Sequence, residues 1–91
     1  MSSTKEAWGT IAARYRQLHS ERAAEGPGVQ LACLVLAEYC AHLWAGTQGG
    51  PSLALVALAE HVLGVHVDDV VAAELEKIAE ARATAREQSL S

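Results

Sequence analysis

Apolar and polar residues follow the period of α-helices along almost the whole chain. In the first segment, one helical stripe is formed by residues spaced three or four apart, Trp8, Ile11, Tyr15 and Leu18. The run Gly26-Pro27-Gly28 then favours a turn, because glycine and proline both interrupt helices. The pattern therefore predicts a first helix over residues 4–25.

The second segment, residues 29–45, is apolar around most of its circumference. It has fourteen apolar residues in seventeen, and its polar residues, Gln30, Glu38 and His42, share one side of a helix. A membrane span is the competing interpretation, but seventeen residues are short for a bilayer and a Glu and a His lie among them. We expect a central helix that is covered by other protein surface.

The third helix is predicted over residues 51–63. Pro51 suits its first position, where a missing N–H costs nothing, and Gly64 ends it. This segment is also apolar on nearly all sides until its last turn. It therefore needs more covering surface than one neighbouring helix supplies.

A fourth helix is predicted over residues 67–87, followed by a frayed end at 88–91. Asp68 and Asp69 favour its start, since the positive end of a helix dipole stabilises acidic side chains. Its inward stripe is Val67, Val71, Leu75 and Ile78. Beyond this stripe the chain forms helix readily but has little to bury.

These elements predict one all-α domain over residues 1–91, a compact bundle of about four helices. Two of the four helices have more apolar surface than their own chain can cover, and a symmetric homodimer is the commonest way to cover it. We therefore expect a homodimer or a protein partner. The predicted interface residues lie on the second and third helices and are Leu34, Leu43, Leu55, Leu58 and Val62.

Composition and charge exclude some partners. The net charge of −4 repels phosphate backbones, so no nucleic-acid partner is expected. The basic group Arg14, Arg16 and Arg22 is interleaved with acids and is interpreted as a solvated helix face. The N-terminus shows no secretory signal pattern, so we predict a cytoplasmic protein without membrane attachment.

The cysteines are expected to be reduced core thiols. Cys33 and Cys40 lie seven residues apart on one predicted helix, which separates their Cα atoms by about 10 Å, too far for a disulfide. Neither has the C-x-x-C spacing or neighbouring cation that activates a thiol. They predict packing rather than redox chemistry.

Candidate ligand-binding residues lie on the second helix. Glu38 and His42 are four residues apart and point the same way, the geometry of two metal ligands or of a carboxylate that orients an imidazole. Two ligands are too few for a zinc site, so no metal and no cofactor are predicted. Tyr39 and Trp44 are aromatic residues that can line a pocket for a small ligand, and no catalytic residues are assigned.

Two short stretches resemble a known family. Residues 64–77, which read GVHVDDVVAAELEK, and the stretch Leu36-Ala37-Glu38 are similar to segments of the MazG-like all-α nucleoside triphosphate pyrophosphohydrolases. The resemblance implies a dimerising helical architecture. It also implies four metal-binding acids, whose positions here fall on Tyr39 and His42 and near Gly49 and Ser52, so the family's magnesium-dependent hydrolysis is not expected.

Two functional hypotheses follow from the sequence. The first is a small non-enzymatic helical oligomerisation or interaction protein, or an accessory subunit. The alternative is a degenerate MazG-like domain that binds a nucleotide or another small ligand between its helices without hydrolysing it. A thermal-shift screen distinguishes them, because only the second predicts stabilisation by such ligands.

Overall fold

The computed structural model describes residues 3–90 as an assembly of α-helices. Its elements in chain order are α1 (Ser3–Glu21), a 3-10 turn (Ala23–Glu25), α2 (Pro27–Ala45), α3 (Leu53–Leu63) and α4 (Val67–Leu90). No strand occurs among the described residues. The predicted all-α bundle of four helices is confirmed.

Glycines set both ends of α2. Gly26 precedes the helix with a φ of +109°, which a residue with a Cβ rarely adopts, and Pro27 follows as the first helical residue. At the other end, Gly46 has a φ of +68° and its N–H donates to the carbonyl of His42. The helix therefore begins two residues earlier than predicted and ends at Ala45, as predicted.

The start of α3 differs from the prediction. Pro51 does not occupy the first helical position, because Ser52 is the N-cap and the helix begins at Leu53. The Ser52 hydroxyl accepts a hydrogen bond from the Leu55 amide at 3.2 Å. A serine cap satisfies one of the free amides of the first turn, which proline cannot do.

The last helix is longer than predicted and begins at an acidic cap. The Val67 amide donates to Oε2 of Glu60 at 2.7 Å, so a carboxylate from α3 satisfies the first turn of α4. Asp68 and Asp69 lie in that turn, as predicted. The helix continues through Leu90, where the sequence pattern predicted fraying from residue 88.

The four helices pack in the order α3, α2, α1, α4, so α2 and α1 are central. α2 packs against α1 and α3, whereas α4 packs mainly on α1. The molecule measures 50 × 30 × 18 Å, which makes it thin in one direction. Each outer helix thus leaves much of its circumference without a neighbour.

The core lies mainly between α1 and α2 and is built from small and aliphatic side chains. The largest fully buried side chains are Ile11, Cys33, Leu36 and Cys40. Alanines fill many of the other buried positions, namely Ala7, Ala12, Ala32, Ala37 and Ala59. Small side chains let helix backbones approach closely, which suits a domain that contains no phenylalanine.

Candidate functional site

Exposed apolar side chains lie on adjacent parts of α2 and α3. We define the α2–α3 face by its five large members, Leu31, Leu34, Leu55, Leu58 and Val62. Leu31 and Leu58 are each 58% exposed, and the other three are exposed by about 40%. Together these side chains present roughly 300 Å² of apolar surface, the size at which a patch on a soluble protein often has a function.

A groove of about 160 Å³ crosses the α2–α3 face. Its lining is apolar throughout and consists of Gly28, Leu31, Ala32, Val35, Leu55, Leu58, Ala59 and Val62. An apolar cavity of about 150 Å³ holds one benzene molecule, so the groove accepts one side chain of leucine or phenylalanine size.

Four of the five predicted interface residues belong to the α2–α3 face. Leu55, Leu58 and Val62 line the groove, and Leu34 lies one helical turn from Leu31. Leu43 is also exposed, but it lies near the C-terminal end of α2 and does not line the groove. Leu31 was not predicted, although its place in the apolar run of α2 could have indicated it.

Glu38 and His42, the predicted polar pair, lie together near the end of α2. The His42 Nε2 atom is 4.0 Å from Oε2 of Glu38, and its Nδ1 atom is 2.7 Å from the hydroxyl oxygen of Thr47. The ring also packs against Gly50, where an added Cβ would lie 3.2 Å from it. These contacts hold the loop after α2 against the helix.

The other two predicted ligand-binding residues lie elsewhere. Tyr39 is half-buried and makes an edge-to-face contact with Trp8, with ring centroids 6.1 Å apart. Trp44 is half-exposed and lines a different cavity, which neither Glu38 nor His42 lines. The structure therefore does not bring the four predicted residues into one pocket.

The cavity beside Trp44 is a groove of about 630 Å³ that crosses α1, and we call it the α1 groove. Gly9, Ala12 and Ala13 line it from α1, while Trp44 of α2 and Ile78 of α4 contribute larger apolar side chains. Its polar lining is Glu6, Thr10 and Arg16. Its volume lies in the range of pockets that bind small molecules, although this groove is wide open to solvent.

Trp44 approaches α1 closely because residue 9 is glycine. A Cβ added at Gly9 would lie 2.8 Å from Cδ1 of the indole and 3.0 Å from its Nε1. The ammonium group of Lys5, one helical turn earlier, lies 5.8 Å from the indole centroid. Glycine therefore allows the indole to pack directly on the helix backbone.

Of the three arginines predicted to form a solvated face, Arg16 and Arg22 lie at the surface, and Arg14 differs. Arg14 is half-buried and donates to Oε2 of Glu74 at 2.9 Å, and Glu74 is the one charged residue among the buried ones described. This ion pair joins α1 to α4. Arg22 instead pairs locally with Glu25, which lowers the pKa of that exposed carboxyl.

The cysteines are free and buried, as predicted. Burial raises the pKa of the Cys40 thiol to about 12 and also raises the pKa of Cys33. Burial likewise raises the pKa of Tyr15, which packs in the same core. The thiols therefore stay protonated and unreactive near neutral pH.

Two further findings concern metals and membranes. Within residues 3–90, no three His, Cys, Asp or Glu side chains are placed to hold a metal ion together. By length and composition α2 could cross a membrane, with a mean hydropathy of 1.3, but the central helix of a bundle passes the same criterion. Here α2 packs against α1 and α3.

Comparisons with known proteins identify no relative. No family model, curated protein or solved structure matches the chain. The resemblance to the MazG-like family remains a prediction, and functional conclusions depend on the sites themselves.

Proposed function

We propose that this protein is a small helical interaction module that forms a homodimer through the α2–α3 face. The observation that carries the proposal is a continuous apolar face with an apolar groove through it, on helices that pack in a thin row. We also propose that the protein is cytoplasmic and that α2 lies in the dimer core rather than in a membrane.

A second copy is the occupant that the face fits best. A standard interface takes about 800 Å² from each partner, of which roughly 500 Å² is apolar in homodimers. The five side chains of the face supply more than half of that apolar area. In a two-fold dimer the same patch meets itself, so the exposed leucines beside one groove can enter the groove of the other copy.

The electrostatics at the face are compatible with a second copy. The groove lining contains no charged or hydrogen-bonding side chain. Each copy carries a net charge of −4, which opposes association, but a face without charges brings no carboxylates into direct contact. Burial of apolar surface is therefore the main contribution to the free energy of association at this face.

The test is the mass in solution of the wild-type protein and of two charge variants on α3. Leu58→Glu places a carboxylate on the α2–α3 face, whereas Ala57→Glu adds the same charge to the same helix beside a different cavity. Light scattering after size exclusion at micromolar concentration should give twice the chain mass of 9.6 kDa for the wild type and for Ala57→Glu. Leu58→Glu should give the chain mass.

Two results would contradict the proposal. One is a wild-type protein that is monomeric at the micromolar concentration of this measurement. The other is a dimer that Leu58→Glu leaves intact, since a buried unpaired carboxylate at each of two symmetric positions would dissociate it.

A further inference from the structure

We infer that the α1 groove is a binding site for a planar aromatic molecule that carries one anionic group, such as an aromatic carboxylate. The inference is independent of the proposed dimer, because the α1 groove and the α2–α3 face share no lining residue. It depends on three observations: the shape of the groove, the half-exposed indole and the placement of cations.

The shape of the groove suits a flat ligand. Gly9 and two alanines, Ala12 and Ala13, give the α1 side of the groove little side-chain bulk. Trp44 and Ile78 come from the helices on either side of α1. A volume of about 630 Å³ has room for a two-ring molecule with its solvent-facing substituents.

The indole of Trp44 provides the aromatic contact. It is 49% exposed, although it is one of only two tryptophans in the chain, and its packing on α1 depends on the missing Cβ of Gly9. Aromatic rings gain from stacked or edge-to-face contact beyond the area they bury. Trp44 is thus held in place by the protein and still available to a ligand.

The charges around the groove select an anion. Glu6 is neutralised by Arg82 at 2.9 Å, so it does not repel a carboxylate strongly. Arg16 lines the groove, and its ion pair with Glu38 is long, at 3.9 Å, so Glu38 compensates its charge in part and accepts no hydrogen bond from it. Lys5 adds a second cation beside the indole. A cationic ligand is disfavoured because the positive charges of Lys5 and Arg16 repel it.

The experiment uses 2-naphthoate as the probe and 2-naphthalenemethanol as its uncharged counterpart. Nuclear magnetic resonance resolves two indole N–H signals, which Trp44→Phe and Trp8→Phe assign. Titration of the full chain with 2-naphthoate should shift the Trp44 signal saturably and leave the Trp8 signal nearly unchanged. The uncharged probe should bind at least fivefold more weakly.

Two variants test the residues that select the anion. Arg16→Gln should weaken 2-naphthoate about fivefold to tenfold and leave 2-naphthalenemethanol unaffected, because it removes a charge-assisted hydrogen bond. Arg22→Gln is the matched control, since Arg22 pairs with Glu25 and does not line the groove, and it should bind like the wild type. Leu58→Glu should also keep the site, which separates a failure of this inference from a failure of the proposed dimer.

Two outcomes would overturn the inference. In the first, 2-naphthoate at millimolar concentration produces no saturable shift of the Trp44 signal. In the second, the two probes bind equally and Arg16→Gln changes neither, which would show an unselective apolar surface.

Discussion

Because of the contact between Gly9 and Trp44, we expect Gly9→Ala to lower stability when residue 44 is tryptophan and to raise it when residue 44 is alanine. Glycine inside α1 costs about 0.9 kcal/mol relative to alanine by helix propensity, so Gly9→Ala alone would normally stabilise the helix. Here the new Cβ would lie 2.8 Å from the indole, closer than real Cβ contacts, so Trp44 has to move.

The cost of that movement can be worked from the exposure of Trp44. The residue is 49% exposed, so it buries roughly 100 Å² of the 150 to 250 Å² that an aromatic side chain can bury. At about 25 cal/mol per Å², complete loss of this contact costs up to about 2.5 kcal/mol. We therefore expect Gly9→Ala to destabilise the wild type by about 1 kcal/mol. In a Trp44→Ala background the same change should stabilise by about 0.9 kcal/mol.

The assay is urea unfolding followed by circular dichroism at 222 nm for all four members of this double-mutant cycle. Protein concentration is held constant, because a dimer makes apparent stability depend on it. The expected coupling free energy between the two positions is about 2 kcal/mol. The slope of the unfolding free energy against urea concentration should be the same for all four proteins. Equal stabilisation by Gly9→Ala in both backgrounds would refute the claim that the missing Cβ positions the indole.

Four other predictions concern the core and the start of α4. Both thiols, Cys33 and Cys40, should resist Ellman's reagent in the folded protein at pH 8 and react on unfolding; fast native labelling would contradict their burial. Since burial raises the pKa of Cys40 to about 12, stability should fall as the pH rises through about 9, and Cys40 alone should contribute a loss of about 1.4 kcal/mol at pH 10 in urea titrations. The loss should be clearly smaller in a Cys40→Ala background, where Cys33 and Tyr15, whose pKa values burial also raises, still contribute. Leu36→Ala should lower the free energy of unfolding by about 2 to 5 kcal/mol in urea titrations, which is on the order of the whole stability of a small domain. A loss below about 1 kcal/mol would contradict the complete burial of Leu36. Glu60→Ala should lower the free energy of unfolding by about 1 kcal/mol, because it removes the carboxylate that caps α4. The control Glu80→Ala, at an exposed position, should change it by less than about 0.5 kcal/mol. Equal effects of the two substitutions would argue against the cap.

The helices could be predicted because their signals are local. Gly46 and Gly64 directly follow α2 and α3 and end them, as predicted. The first helix ends at Glu21 rather than at the predicted residue 25, because a 3-10 turn occupies residues 23–25 before Gly26. The start of α3 was misplaced because the prediction depended on Pro51 alone, whereas the Ser52 hydroxyl accepts the hydrogen bond that caps the helix.

The parts that could not be predicted depend on contacts between distant residues. Arg14 and Glu74 are sixty positions apart, so nothing near either residue indicates the ion pair. The packing of Trp44 on Gly9 likewise requires the relative placement of α1 and α2. For the same reason, sequence spacing grouped Trp44 with Glu38 and His42, whereas the fold places it in the α1 groove with residues from α1 and α4.

The α2–α3 face was the most predictable part of the candidate sites. An apolar run that exceeds one helical stripe is visible without coordinates, and the structure leaves Leu34, Leu55, Leu58 and Val62 exposed on adjacent helices. What the sequence could not supply is the groove between them, which arises from Gly28, Ala32 and Ala59 as small residues on facing helices.

The most direct test of the central claim is isotope-filtered nuclear magnetic resonance on a mixed sample, in which half the chains carry labelled methyl groups and half are unlabelled. A dimer through the α2–α3 face predicts nuclear Overhauser effects between chains at the methyls of Leu31, Leu58 and Val62, and none at the buried methyls of Leu36. Effects between chains confined to other surfaces, or none in a sample shown to be monomeric, would contradict it.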